Sequence, residues 1–134
     1  MCGIAGIISF NKNTIDKTKL KTMTSLLSHR GPDSDGFYVD ESVGFGHRRL
    51  KIIDLSDNAN QPIFNEDRTI CVIYNGEIYN HLELRHSLEK KGHRFYTDTD
   101  TEVLVHGFEE YGVQFFDELN GMFSFALYDI KNKN

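Results

Sequence analysis

Apolar and polar positions along the chain fall into short blocks, some alternating and some with a helical period, punctuated by glycines and turn formers. The block Cys2 to Phe10 alternates small and branched residues and predicts a buried strand, closely approached by a neighbour at Gly3 and Gly6. Asp16 stands where a helix cap is needed, ahead of Leu20, Met23 and Leu27 on one helical face ending near Ser28. From His29 to Gly36 the chain is a run of turn formers and predicts a loop. Phe37 to Val39 and Val43 to His47, joined through Asp40-Glu41-Ser42, predict a hairpin, with Arg48 to Leu55 continuing extended.

Ile70 to Tyr74 is a block of β-branched and aromatic residues that predicts a strand, and Asn75-Gly76 after it offers a tight turn. Asn80 and Glu83 have capping-box spacing before Leu84 and Leu88, and Gly92 closes that helix. His93 to Tyr96 reads as extended. A further helix from about Thr101 to Tyr111 aligns Leu104 with Phe108 and ends at Gly112, and Met122 to Tyr128 predicts the last strand. Hairpins mixed with αβ units indicate an α+β layered domain with a largely antiparallel sheet.

With 134 residues, 39% hydrophobic and 12% aromatic, the chain has material for one packed core. Charged residues make up 26%, with a net charge of -5 and both signs interspersed, so no basic stripe invites a nucleic acid. The apolar start is too short to span a bilayer and lacks a basic leader, since the first charged side chain is Lys12. A cytoplasmic protein without membrane contact is expected.

The two cysteines cannot build a secreted disulfide framework. Cys71 lies within a predicted strand and reads as a small apolar filler. Cys2 follows the initiator methionine and is small enough for Met1 to be trimmed, leaving thiol and α-amine on one residue. A thiol is mostly protonated at neutral pH and needs a nearby base; an α-amine, with an ordinary pKa of about 7.7 to 8.0, supplies one. Alone, a cysteine at position two is equally an ordinary residue opening a strand. The six histidines show no metal-ligand spacing, so no metal is expected. No glycine-rich phosphate loop is present, which puts any ATP site elsewhere.

Several segments together carry a resemblance. Met1-Cys2-Gly3-Ile4-Ala5-Gly6, the His29 to Gly36 loop, Gly46 to Leu55 with Gln61-Pro62, Tyr74-Asn75-Gly76-Glu77-Ile78-Tyr79-Asn80, Thr99 to Leu104 and Leu119 to Phe123 stand in the order found in one family. The chain resembles the class II glutamine amidotransferase domain of glutamine-hydrolysing asparagine synthetases. That resemblance implies the four-layer αββα sandwich of N-terminal nucleophile hydrolases. It also implies that Cys2 attacks the side-chain amide of glutamine, with the Asn75 amide and the Gly76 N–H as oxyanion hole. Arg49 resembles the clamp for the glutamine carboxylate, a role that suits a planar guanidinium. Asp100, helped by Glu77, resembles the ammonium partner, although it could equally cap the following helix. Backbone groups of Leu50, Lys51, Ile52 and Ile53 are expected along the same cleft. Arg30 and Asp33 are expected to support Cys2 rather than to react.

Family members continue past Tyr128-Asp129 through a further strand and then into an ATP- and Mg-dependent synthetase domain. Residues 1–134 are accordingly read as an incomplete glutaminase domain, truncated at the C-terminus, with the synthetase domain absent and no cofactor of its own. The expected reaction converts glutamine to glutamate and ammonia through a Cys2 thioester, the ammonia serving asparagine synthesis in an intact enzyme that also leaves a homodimer open. The competing readings are a catalytically silent glutamine-binding regulatory module and an amidotransferase domain serving a sugar or peptide acceptor.

Overall fold

A computed structural model describes residues 1–10 and 14–134; Lys12, the first charge in the sequence, lies outside the described residues. In chain order the elements are β1 (Gly3–Ile8), α1 (Lys17–Ser25), β2 (Ser34–Val39), β3 (Val43–Arg49), β4 (Ile63–Phe64), β5 (Ile70–Ile78), α2 (His81–Lys90), α3 (Glu102–Tyr111) and β6 (Gly121–Asp129). Short 3-10 stretches at Asp57–Ala59 and Gly112–Glu118 complete the path. Two antiparallel three-stranded sheets form, in the orders β1-β3-β2 and β4-β5-β6.

The layering follows from the alternation of side chains along β5. Cys71 and Ile73 point into the space between the sheets, where they meet Val43, Phe45 and Tyr128. Ile70, Val72 and Tyr74 point the other way and pack under Leu88 of α2 and Val103, Leu104 and Val105 of α3. On the outer face of the first sheet, α1 lies so close that a Cβ at Gly46 would sit 2.0 Å from Thr24 Oγ1. Only glycine permits that approach. The resulting order, α1, sheet, sheet, then α2 with α3, is the four-layer αββα sandwich that the resemblance implied.

Asp16 caps α1 as its sequence position predicts, its carboxylate accepting from Lys19 N at 2.9 Å. Gly92 and Gly112 terminate α2 and α3 at φ of 104° and 65°, a region that favours glycine. Five expectations need correction. The first strand is not buried: within β1 only Gly3 is, and Ile8 is 60% exposed, because β1 is an edge strand covered on part of its length. Ser34, Asp35 and Gly36, expected in a loop, pair with Arg49, Arg48 and His47 as the start of β2. The extension beyond Arg48 ends at Arg49, and the path then bends through Asp54 at φ 41°. Asn80 makes no capping bond to α2; its amide donates to Glu118 O at 2.9 Å and accepts from Asn120 N at 3.0 Å, fastening the turn before β6. Finally, β5 does not stop at Tyr74 but runs on to Ile78, so Asn75-Gly76 belongs to a strand and not to a turn. Among the described residues no helix is long and apolar enough to cross a membrane.

Candidate active site

Where β3 and β5 face each other across the sandwich, a cavity of about 290 Å³ opens beside the amino terminus. Cys2 is half-buried on its wall. Its Sγ accepts the Leu50 N–H at 3.4 Å and lies 3.8 Å from Leu50 O, so the bend after β3 fixes the sulfur from one side. Arg30 donates through Nε to Cys2 O at 3.0 Å, which holds the backbone of the nucleophile candidate from the other. Asp33 acts one step further away: its carboxylate accepts Lys51 N at 2.8 Å and its own N–H donates to Arg49 O. Arg30 and Asp33 therefore support the site without lining it.

Arg49 is the last residue of β3 and is 4% exposed. Its Nη1 donates to Ser56 O at 2.8 Å and to Asn60 Oδ1 at 2.9 Å, while Nη2 donates to Asp54 O. Three of the five guanidinium N–H donors thus organise the segment that follows it, and among the described residues Nε–H and one Nη2–H have no protein partner. That segment carries Ile52 and Ile53, both exposed and both on the cavity rim. Lys51, whose backbone was expected along the same cleft, does not line it: its N–H donates to Asp33 at 2.8 Å and its Nζ lies 2.8 Å from Asp57. Asp54 anchors the far end, accepting Asp98 N at 3.0 Å and Ser56 N at 2.9 Å, and these hydrogen bonds hold its carboxyl below the usual range.

The opposite wall is β5. Tyr74, Asn75, Gly76 and Glu77 line the cavity in succession. A Cβ at Gly76 would come within 2.3 Å of Met122 O and 2.5 Å of Phe123 Cα, so the backbone of β6 dictates glycine here. Among the described residues, none forms a hydrogen bond with the side chain of Asn75, which leaves that amide free to face a ligand. Asp100 closes the floor. It is 5% exposed, and its Oδ2 accepts the Tyr74 O–H at 2.7 Å and the Ile78 N–H at 2.9 Å. The carboxylate is thus tied to β5 and does not cap α3, whose N-cap residue is Thr101. Burial, reinforced by the Asp100 charge and hydrogen bond, pushes the Tyr74 phenol far above its ordinary value and keeps it a donor.

Sequence reasoning missed three residues that hold this geometry. Gln61 is buried and its Oε1 accepts Tyr74 N at 2.6 Å, continuing the edge of β5 where β4 has ended. His47 is fully buried, with Nε2 3.1 Å from Tyr74 O. Burial, opposed by that hydrogen bond and aided by the Arg49 charge, pushes His47 down to about 4 and keeps it neutral. Arg48 donates through Nε to Gly31 O at 2.8 Å and so braces the segment carrying Arg30 and Asp33. Cys71 is not part of the site: it is completely buried, and burial pushes its thiol up to about 12. Met1 does line the cavity and, while present, owns the α-amine, so Cys2 N is an amide.

This arrangement sets a thiol against a small, mostly apolar cavity with cationic, anionic and amide groups at separate points of its walls. The signature of the family described as a glutamine amidotransferase domain matches residues 1–134. The chain is 48% identical to asparagine synthetase [glutamine-hydrolyzing] 1 of Bacillus subtilis (strain 168), a match covering 100% of this chain and 21% of that protein. Asparagine synthetase [glutamine-hydrolyzing] 1 of Arabidopsis thaliana is 44% identical over 100% of this chain and 23% of its own length. The chain therefore spans about a fifth of the relatives it matches. Among solved structures, the glutamine phosphoribosylpyrophosphate amidotransferase of B. subtilis superposes with a TM-score of 0.57 at 19% identity, over 95% of this chain and 29% of that one. At that identity the likeness speaks for the fold.

Proposed function

Since the chain belongs to the glutamine amidotransferase domain family, we propose that it hydrolyses glutamine to glutamate and ammonia with Cys2 as nucleophile. What supports the reading is the convergence of Cys2, Arg49, Asn75 and Asp100, from four separate segments, on one cavity. Met1 is first removed. The freed α-amine takes the proton of the Cys2 thiol, and the thiolate attacks the side-chain amide carbon of glutamine. Negative charge develops on the amide oxygen, where the Asn75 side chain and the Gly76 N–H donate to it. Collapse breaks the C–N bond; the α-ammonium returns its proton to the leaving nitrogen, and ammonia departs from a γ-glutamyl thioester. Water then adds, giving its proton to the α-amine, and expulsion of the sulfur releases glutamate and restores the thiol. Throughout, the free guanidinium donors of Arg49 pair the substrate carboxylate, and Asp100 with Glu77 pairs its ammonium. In a protein of the relatives' length the ammonia would be consumed by an ATP- and Mg-dependent step that amidates aspartate, a step to which this chain contributes only the ammonia.

The test is glutamate release by the chain, measured alongside its intact mass. Activity should follow the fraction lacking Met1, and Cys2→Ala should abolish it. A fully active preparation that retains Met1 throughout would overturn the mechanism.

A further inference from the structure

On the far side of the second sheet, three segments distant in sequence meet: the β4–β5 turn carrying Glu66, the residues after α2 carrying His93, and α3 carrying His106 and Glu109. One ligand atom from each of these four residues lies within 4.8 Å of the others, beside a surface cleft. His106 decides what the cluster is for. It is fully buried, and its Nε2 faces Glu102 Oε1 at 3.1 Å. Glu102 is also fully buried, and it accepts Tyr96 N, Thr97 N and Thr97 Oγ1. Carboxylate oxygens that accept from these donors accept from His106 as well, so the geometry places the ring hydrogen on Nε2.

The other ring nitrogen, Nδ1, is then a buried lone pair with no hydrogen-bond partner. It lies 3.3 Å from Glu66 Oε2, an acceptor, without the alignment a hydrogen bond requires. Two acceptors 3.3 Å apart, the nitrogen fully buried and the carboxylate open to solvent, are stabilised by a cation between them. A ring nitrogen whose partner N–H is held by a carboxylate is the usual preparation of a metal-bound histidine. Phe95, with its ring centroid 4.4 Å away, fixes the plane of the imidazole. Glu66 is prepared as well, since Oε1 is taken by Arg94 N at 2.8 Å and Oε2 remains. The neighbouring cation Lys91 is engaged at 2.8 Å by Glu110, which leaves Glu109 available.

We infer that Glu66, His93, His106 and Glu109 form a binding site for a divalent first-row transition metal of the zinc class. Two imidazoles and two carboxylates suit that class, and tetrahedral bonds of about 2.0 to 2.1 Å set ligand spacings of about 3.4 Å. Glu66 and Glu109 are exposed and able to close the remaining gap. The bound ion ties the β4–β5 turn, the α2–α3 connection and α3 into one unit, remote from the glutamine cavity. Spacing in the sequence could not show it, because only His106 and Glu109 share an element.

The experiment uses the full chain with Cys2→Ala, so that the half-buried thiol does not compete, and titrates it with zinc chloride and with cobalt chloride. Zinc at about a hundred times its Kd should raise Tm by roughly 10 °C, and cobalt should give the visible absorption of a tetrahedral site. Glu109→Gln, at an exposed position, and His93→Gln, at a half-buried one, should each weaken zinc at least about tenfold, with the Tm of each zinc-free variant confirming that it folds. A Tm shift below about 2 °C in excess zinc overturns the inference, as does a cobalt spectrum that both variants leave unchanged.

Discussion

Replacing Asp100 by asparagine or by alanine separates what this carboxylate does for the fold from what it does for a substrate. Its Oδ2 accepts the Tyr74 O–H at 2.7 Å and the Ile78 N–H at 2.9 Å. Asparagine keeps an oxygen in that place, so each bond only loses its charge-assisted part, about 0.5 to 1 kcal/mol. The expected destabilisation of Asp100→Asn is therefore about 1 to 2 kcal/mol. Alanine leaves both buried donors without an acceptor, at about 1 to 3 kcal/mol each, and should cost roughly 2 to 6 kcal/mol. For the substrate the order of effects is different, because asparagine already removes the charge proposed to pair the glutamine ammonium. Losing a charge-assisted contact of about 2 to 3 kcal/mol raises KM by about 30- to 150-fold. Urea denaturation reads the first quantity and steady-state glutaminase kinetics on protein lacking Met1 read the second. An Asp100→Asn variant whose KM stays within about threefold of the parent would show that this carboxylate serves the fold alone.

Asn75→Ala should lower kcat for glutamine hydrolysis on the order of a hundredfold or more with little change in KM, and a kcat within about threefold of the parent would move the oxyanion hole elsewhere. Arg49→Lys should raise KM and also loosen the 50–60 segment, since an ammonium cannot serve Ser56 O, Asn60 and Asp54 O together with a substrate; limited proteolysis of that segment, beside the kinetics, checks both effects. His47 has a folded-state pKa near 4 against an ordinary 6.5, so the unfolded chain binds the extra proton between those values and stability falls as pH drops through that window. The loss amounts to about 3 kcal/mol, and His47→Gln should flatten this part of the stability profile; parallel profiles for parent and variant would exclude the effect.

Local chemistry made some of this legible in advance. Asp16 as a cap and Gly92 and Gly112 as terminators act through their own few residues, and the structure has them in those roles. The cavity residues were legible as ordered motifs, and Cys2, Arg49, Leu50, Ile52, Ile53, Asn75, Gly76, Glu77 and Asp100 do meet. What escaped depends on partners far along the chain. Asn-Gly reads as a turn unless β6 is known to run against Gly76. Asn80 has the spacing of a capping box, yet its amide finds Glu118 and Asn120 instead. Gln61 and His47 matter through single contacts to the backbone of Tyr74, which leave no periodicity to detect.

The nine residues of β5 serve as the shared wall of both cores and, from Tyr74 to Glu77, as one side of the cavity. A slip of this strand by one residue would exchange Cys71 and Ile73 with Val72 and Tyr74 between cores of different shape and carry Asn75 off the cavity. Both cores thus act as a register lock on the wall proposed to carry the oxyanion hole, which holds that wall as stiff as the protein interior itself. Accommodation of an incoming ligand must come from the other wall, where Ile52 and Ile53 lie exposed on the cavity rim between Lys51 and Asp54, which hydrogen bonds tie down. Under the proposed reaction, substitutions that tune substrate entry are therefore to be sought on that wall, and those that tune the chemical step on β5.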